Sequence, residues 1–133
     1  NQSEGKNSVT NLLFVGLGGA MGSILRYLAS RWAERLFPAV GLPVGTFAVN
    51  VVGCLLLGFL AGLSESRDLV RAEVRLLLMV GLLGGFTTFS TFSNETLDLA
   101  KGSDKWLPFA YVGASVMLGV LSAWIGNAVG RSV

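Results

Sequence analysis

Polar and apolar positions along this chain alternate in long blocks rather than at helical or strand period. Leu42 to Ser64, Leu76 to Asn94 and Trp106 to Gly130 contain no charged residue, and each is about the 20 residues that a helix needs to cross a bilayer. A fourth block, Val9 to Leu25, continues past Arg26 through Tyr27, Leu28 and Ala29. It lacks the small-residue cleavage pattern of a secretory signal, so it reads as a first span. The pattern predicts an all-α integral membrane protein with four transmembrane helices in one domain, residues 1–133. A polar tail of residues 1–8 precedes them, and short connections follow at Arg31 to Gly41, Glu65 to Arg75 and Asp98 to Lys105. None of these loops is long enough to hide a soluble domain.

Composition supports this class. Of 133 residues, 52% are hydrophobic and 14% charged, and there is no histidine, which is too apolar for an ordinary soluble domain. Nothing points to a nucleic-acid partner; the expected surroundings are a lipid bilayer. Cys54, the single cysteine, lies inside the second span and reads as packing. Trp106 and Trp124, 18 residues apart, stand about 27 Å apart on a helix, near the spacing of two aromatic belts.

Glycines four apart (Gly18 and Gly22, Gly58 and Gly62, Gly81 and Gly85, Gly126 and Gly130) put small residues on one face of each helix and predict close packing. The segment NLLFVGLGGAMGS superficially suggests a dinucleotide-binding loop. Its glycines at 16, 18 and 22 have too long a last gap, and the uncharged runs that follow cannot supply the alternating strands and helices of that fold.

Charge gives a less ordinary result. With four spans, Lys6, Arg67, Arg71, Arg75 and Arg131 fall on one side, and Arg26, Arg31, Arg35, Lys101 and Lys105 on the other. Five against five leaves no bias to fix orientation. Such a chain can insert both ways, and an antiparallel homodimer is then the natural assembly; the alternative is that one dominant segment fixes the topology.

The chemistry concentrates in GGFTTFSTFSNE, residues 84–95, where five hydroxyls, three phenylalanines and two glycines interrupt the third span. Gly84 and Gly85 permit a mid-membrane break, and the hydroxyls can satisfy the backbone groups it frees. Such breaks are tolerated where they are buried in protein or line a watery cavity. Freed carbonyls suit a hard cation such as sodium. Phe89 and Phe92, three apart, present electropositive ring edges that can accept an anion; the competing reading is that the rings pack and the hydroxyls back-bond to the helix. Asn50, within the second span, is either helix glue or a donor to the same site. Arg26 either snorkels to the headgroups or lines an anion-attracting vestibule.

Together with GxxxR ending at Arg26, GTFxxN ending at Asn50 and YxGAS from Tyr111 to Ser115, this segment resembles the Fluc/CrcB family of fluoride channels over about Leu12 to Gly130. The resemblance implies a passive, fluoride-selective channel in a bacterial plasma (inner) membrane, exporting fluoride and lowering its toxicity, with no catalytic residue. It implies a dual-topology antiparallel homodimer with two pores. It also implies a structural, non-transported sodium ion held by the backbone carbonyls of Gly84 and Thr87 from both subunits. Phe89 and Phe92 would be the pore phenylalanines, Asn50 the amide donor and Arg26 the vestibule cation. Thr46, Thr88, Tyr111 and Ser115 match polar positions along the pathway, and Glu95 a pore mouth. One departure is Gly119, where some relatives carry a second serine, which puts the polar track along the fourth span in doubt. Two other classes remain: a small four-helix multidrug antiporter, for which Glu95 is the only carboxylate available, and a non-transporting assembly subunit.

Overall fold

The computed structural model describes residues 2–38, 41–67 and 70–133, the side chains of 2–7 and 67 excepted, so two of the counted basic residues, Lys6 and Arg67, have side chains outside the described residues. Among the described residues every regular element is helical: α1 Gln2–Leu36, α2 Val44–Arg67, α3 Ala72–Arg75, a π-helical segment Leu76–Leu83, α4 Gly84–Phe86, α5 Phe89–Lys101 and α6 Leu107–Ser132. Four stretches are long and apolar enough to cross a membrane: Ser8–Leu36, Val44–Ser66, Ala72–Lys101 and Leu107–Ser132. The third of these runs from α3 to the end of α5.

The expected spans are present, with shifted ends. Helix α1 begins at Gln2, inside the expected tail, and runs through the arginines at 26, 31 and 35 to Leu36, because charged residues beyond the apolar run do not stop a helix whose interior lacks proline. The first loop is correspondingly shorter. It turns at Gly41, whose φ of 68° falls in the left-handed region that favours glycine. Pro43 precedes the first residue of α2, and Pro108 lies in the first turn of α6, where its missing N–H costs nothing.

The fold packs inside out. Its buried hydrophobic core comprises Ala33, Val49, Leu83 and Tyr111, whereas Leu12, Leu17, Met21, Ile24 and Leu28 of α1 and Val116, Met117, Val120 and Trp124 of α6 face outward. An apolar shell of that extent suits lipid, not water. This is a multi-pass membrane protein.

What holds the helices together is backbone proximity. Helix α2 lies along α6, and α1 along the π segment and α4. A Cβ added at Gly58 would stand 2.1 Å from the Ala123 carbonyl oxygen, and at Gly126 2.1 Å from that of Leu55; no larger residue fits at this helix crossing. Arg131 pairs with Glu65 at one end of the same seam. On the other side, Gly18 and Gly22 of α1 press against the carbonyls of Leu77 and Leu82 in the π segment, and Gly85 against Gly19.

Candidate functional site

The third span does break mid-membrane, but after Phe86 rather than at the glycine pair. Gly84 is helical, with φ −63° and ψ −38°, while Thr87 (φ −82°, ψ 156°) and Thr88 (φ −150°, ψ 119°) are extended. Two causes place the break there. β-Branched threonines accept extended backbone readily, and Asn50 supplies what the helix would otherwise supply. Its Oδ1 accepts the Thr88 N–H at 2.8 Å and its Nδ2 donates to the Thr88 carbonyl at 3.1 Å. Gly85 instead gives close approach to α1, its backbone lying against Gly19.

Thr88 then starts the second half of the span. Its Oγ1 accepts the Thr91 N–H at 3.3 Å and donates to Thr91 Oγ1 at 3.1 Å, an N-cap in which the hydroxyl replaces the missing turn. Thr87 closes the first half, its N–H and Oγ1 both donating to the Leu83 carbonyl at 3.0 Å. The amides four residues after Gly84 and Thr87, those of Thr88 and Thr91, are thus turned to Asn50 and Thr88 Oγ1. Neither carbonyl keeps its helical partner. The carbonyl of Gly85 is met by Arg26, whose Nε donates to it at 3.1 Å. Arg26 is half-buried, with its Nε turned to the third span.

Downstream, Phe89 and Phe92 stack in a tilted pair with centroids 5.8 Å apart, and Phe92 continues onto Tyr111 at 5.2 Å. Phe89 is 78% exposed. Tyr111 OH donates to Glu95 Oε2 and Thr46 Oγ1 to Glu95 Oε1, both at 2.8 Å. Glu95 therefore ties α2, α5 and α6 together as an acceptor on both oxygens, with Thr46 and Tyr111 buried beside it.

Two hollows flank Thr88. One, of about 290 Å³, is lined by Asn50, Cys54, Thr88, Phe89, Phe92, Ser115 and Gly119. The other, also about 290 Å³, is lined by Arg26, Arg31, Glu34, Thr46, Thr88, Thr91 and Glu95. All nine side chains expected along the pathway border these hollows or, in the case of Tyr111, contact their walls. In the first, the Ser115 hydroxyl oxygen is buried without a hydrogen-bond partner among the described residues. Gly119 faces Cys54, whose sulfur would lie 3.6 Å from an added Cβ; Cys54 thus lines the hollow.

Two features escaped the sequence reading: the Gly85 carbonyl as acceptor for Arg26, and the Thr88 backbone as partner of Asn50; contacts across 59 and 38 residues leave no local trace. Thr91, expected among the hydroxyls, also gives its N–H to the Thr88 cap, which its three-residue spacing from Thr88 signals.

Residues 13–127 match the family model described as CrcB-like protein, Camphor Resistance (CrcB). The chain belongs to the CrcB family. Among curated CrcB relatives, a protein of Nitratidesulfovibrio vulgaris is 42% identical over 123 residues, 92% of this chain and 98% of its own length. One of Phocaeicola vulgatus is 47% identical over 116 residues, 87% of this chain and 94% of its own. One of Flavobacterium psychrophilum is 35% identical over 122 residues, 92% and 98% respectively. All three are named fluoride-specific ion channel FluC.

Proposed function

We propose that this CrcB chain is the subunit of a passive, fluoride-selective channel that exports fluoride across a bacterial inner membrane. The observation that carries the reading is the pair of hollows that share Thr88, one lined by the neutral groups of Asn50, Phe89, Phe92 and Ser115 and the other by the Thr46 and Thr91 hydroxyls beside Arg26, in a chain whose near full-length relatives are named fluoride channels. It is a conduit, not an enzyme.

The ion enters the hollow beside Arg26, passes the Thr46, Thr88 and Thr91 hydroxyls, and reaches the side lined by Phe89, Phe92 and Ser115. The second N–H of the Asn50 amide, the Ser115 hydroxyl and the ring edges each offer a weak, neutral donor in place of water. Weak sites in series suit permeation, since a fixed charge at each would hold the ion. An antiporter would need a carboxylate free to exchange protons with its cargo; Glu95 instead serves as an acceptor for Thr46 and Tyr111.

The assembly is an antiparallel homodimer of dual topology. Supporting it are the balanced basic residues, and Phe89, which leaves most of its ring outside the single chain and needs a second surface to form a pore wall. A structural sodium fits the break. Gly84 and Thr87 present carbonyls without their helical amides, and a hard cation takes such oxygens. Two oxygens are too few for one ion, and a second copy about a two-fold axis doubles them. Bound there, sodium would supply fixed positive charge at the dimer centre.

Growth tests the function. A bacterium stripped of its own fluoride efflux should regain growth in millimolar-range fluoride when it expresses this chain; unchanged sensitivity with the protein verified in the membrane would count against it.

A further inference from the structure

Arg26 is expected to act by its charge, and its surroundings argue otherwise. The hollow it borders holds Arg26 and Arg31 together with Glu34 and Glu95, two formal charges of each sign. A balanced set focuses little net field on an anion. What Arg26 does hold, by a directed bond, is backbone: Nε–H to the Gly85 carbonyl at 3.1 Å, part-buried.

That carbonyl has a specific history. In an unbroken helix it would accept the amide of Phe89, four residues on. The extended Thr87 and Thr88 carry Phe89 away to start α5, and the membrane interior has no water to replace the lost donor. Gly85 cannot shift to find another, because its backbone lies against Gly19 of α1, where an added Cβ would meet the Gly19 carbonyl oxygen at 2.6 Å.

We infer that Arg26 is a positioning residue for conduction: its Nε–H caps the broken first half of the third span at Gly85, and this fixes the Thr87–Thr88 link that Asn50 grips and from which Phe89 projects. Engaging Gly85 also leaves the Gly84 and Thr87 carbonyls as neighbours open to another partner. The effect on flux rests on the channel reading above; the cap itself does not.

Two substitutions separate the hydrogen bond from the charge. In Arg26→Gln the side-chain amide nitrogen stands the same number of bonds from Cα as Nε, so the donor stays and the charge goes. In Arg26→Lys the charge stays and a methylene occupies the donor position. Each variant is reconstituted, its insertion and oligomeric state verified, and measured in two ways: fluoride efflux from liposomes, and hydrogen exchange at the Thr88 and Thr91 amides. For the glutamine variant, exchange should stay within about threefold of the parent and efflux should exceed that of the lysine variant. For the lysine variant, efflux should fall and exchange rise by about tenfold or more, the scale of one charge-assisted bond lost. The reverse order, equal losses in both variants, or no change in either would overturn the inference. If the parent protein conducts no fluoride, the exchange order alone decides it, so the cap and the channel reading fail separately.

Discussion

Replacing Asn50 with leucine removes a similar-sized side chain's entire polar end and strips both contacts from Thr88. Interhelical hydrogen bonds in membranes contribute on average about 0.6 and at most about 1.7 kcal/mol each, so the two at 2.8 and 3.1 Å together are worth about 1–3 kcal/mol. A further consequence is that the Thr88 N–H, half-buried in an extended link, loses the partner that replaced the helix; as an orphan it adds about 1 kcal/mol or more. The expected destabilisation is therefore about 2–4 kcal/mol. It should appear in denaturant titration of the protein in mixed micelles as a lowered midpoint with unchanged slope. Fluoride efflux should fall at least tenfold, because the link that aims Phe89 is no longer held. Asn50→Asp should keep the acceptor for the Thr88 N–H but set an ionised oxygen against the Thr88 carbonyl and the passing anion, losing flux as well. Stability within about 0.5 kcal/mol of the parent together with intact efflux in Asn50→Leu would refute the claim that Asn50 holds the break.

Phe89→Ile and Phe92→Ile keep bulk but remove the ring edge, and each should lower fluoride efflux by orders of magnitude. Phe92→Ile, which loses ring contacts to both Phe89 and Tyr111, should also cost about 0.5–1.5 kcal/mol of stability, and Phe89→Ile, with one such contact on an exposed ring, less. Gly126→Ala forces a methyl against the Leu55 carbonyl and should destabilise by about 1–3 kcal/mol in the same titration, whereas Gly16→Ala, with nothing within 4 Å, should be neutral. Gly85→Ala meets the Gly19 backbone at 2.6 Å and should destabilise the single chain; Gly84→Ala, whose nearest neighbour is the Met79 carbonyl oxygen at 3.9 Å, should leave the chain folded while weakening dimerisation, measured by subunit cross-linking.

The membrane class and the four spans were legible because an uncharged run of bilayer length has few other fates. The span ends were less so, since arginine at 31 and 35 or aspartate at 98 is as comfortable in an interfacial helix as in a loop. A break in the third span was also readable, from hydroxyls dense enough to replace helical hydrogen bonds. Its position was not. Glycine at 84 and 85 permits either a bend or a close helix crossing, and the choice is made by Gly19 on α1 and by Asn50 on α2, neither of which is visible locally. Similarly, the sequence singled out Arg26 and Asn50 as polar groups within apolar runs and Glu95 at the end of one, but their partners lie in other helices. The close approach of Thr46, Glu95 and Tyr111 joins three elements that only the packing brings together, and the eight-residue π segment has no counterpart in the residue pattern, which reads equally well as α-helix.

The most direct test is ion efflux from liposomes containing the purified chain, loaded with potassium fluoride or potassium chloride and followed with an ion-selective electrode after a potassium ionophore clamps the counter-charge. The account predicts rapid fluoride efflux without any proton gradient, and chloride efflux indistinguishable from protein-free liposomes. Equal release of the two halides, fluoride movement only when a proton gradient drives it, or no fluoride release from verified, membrane-inserted protein would contradict it.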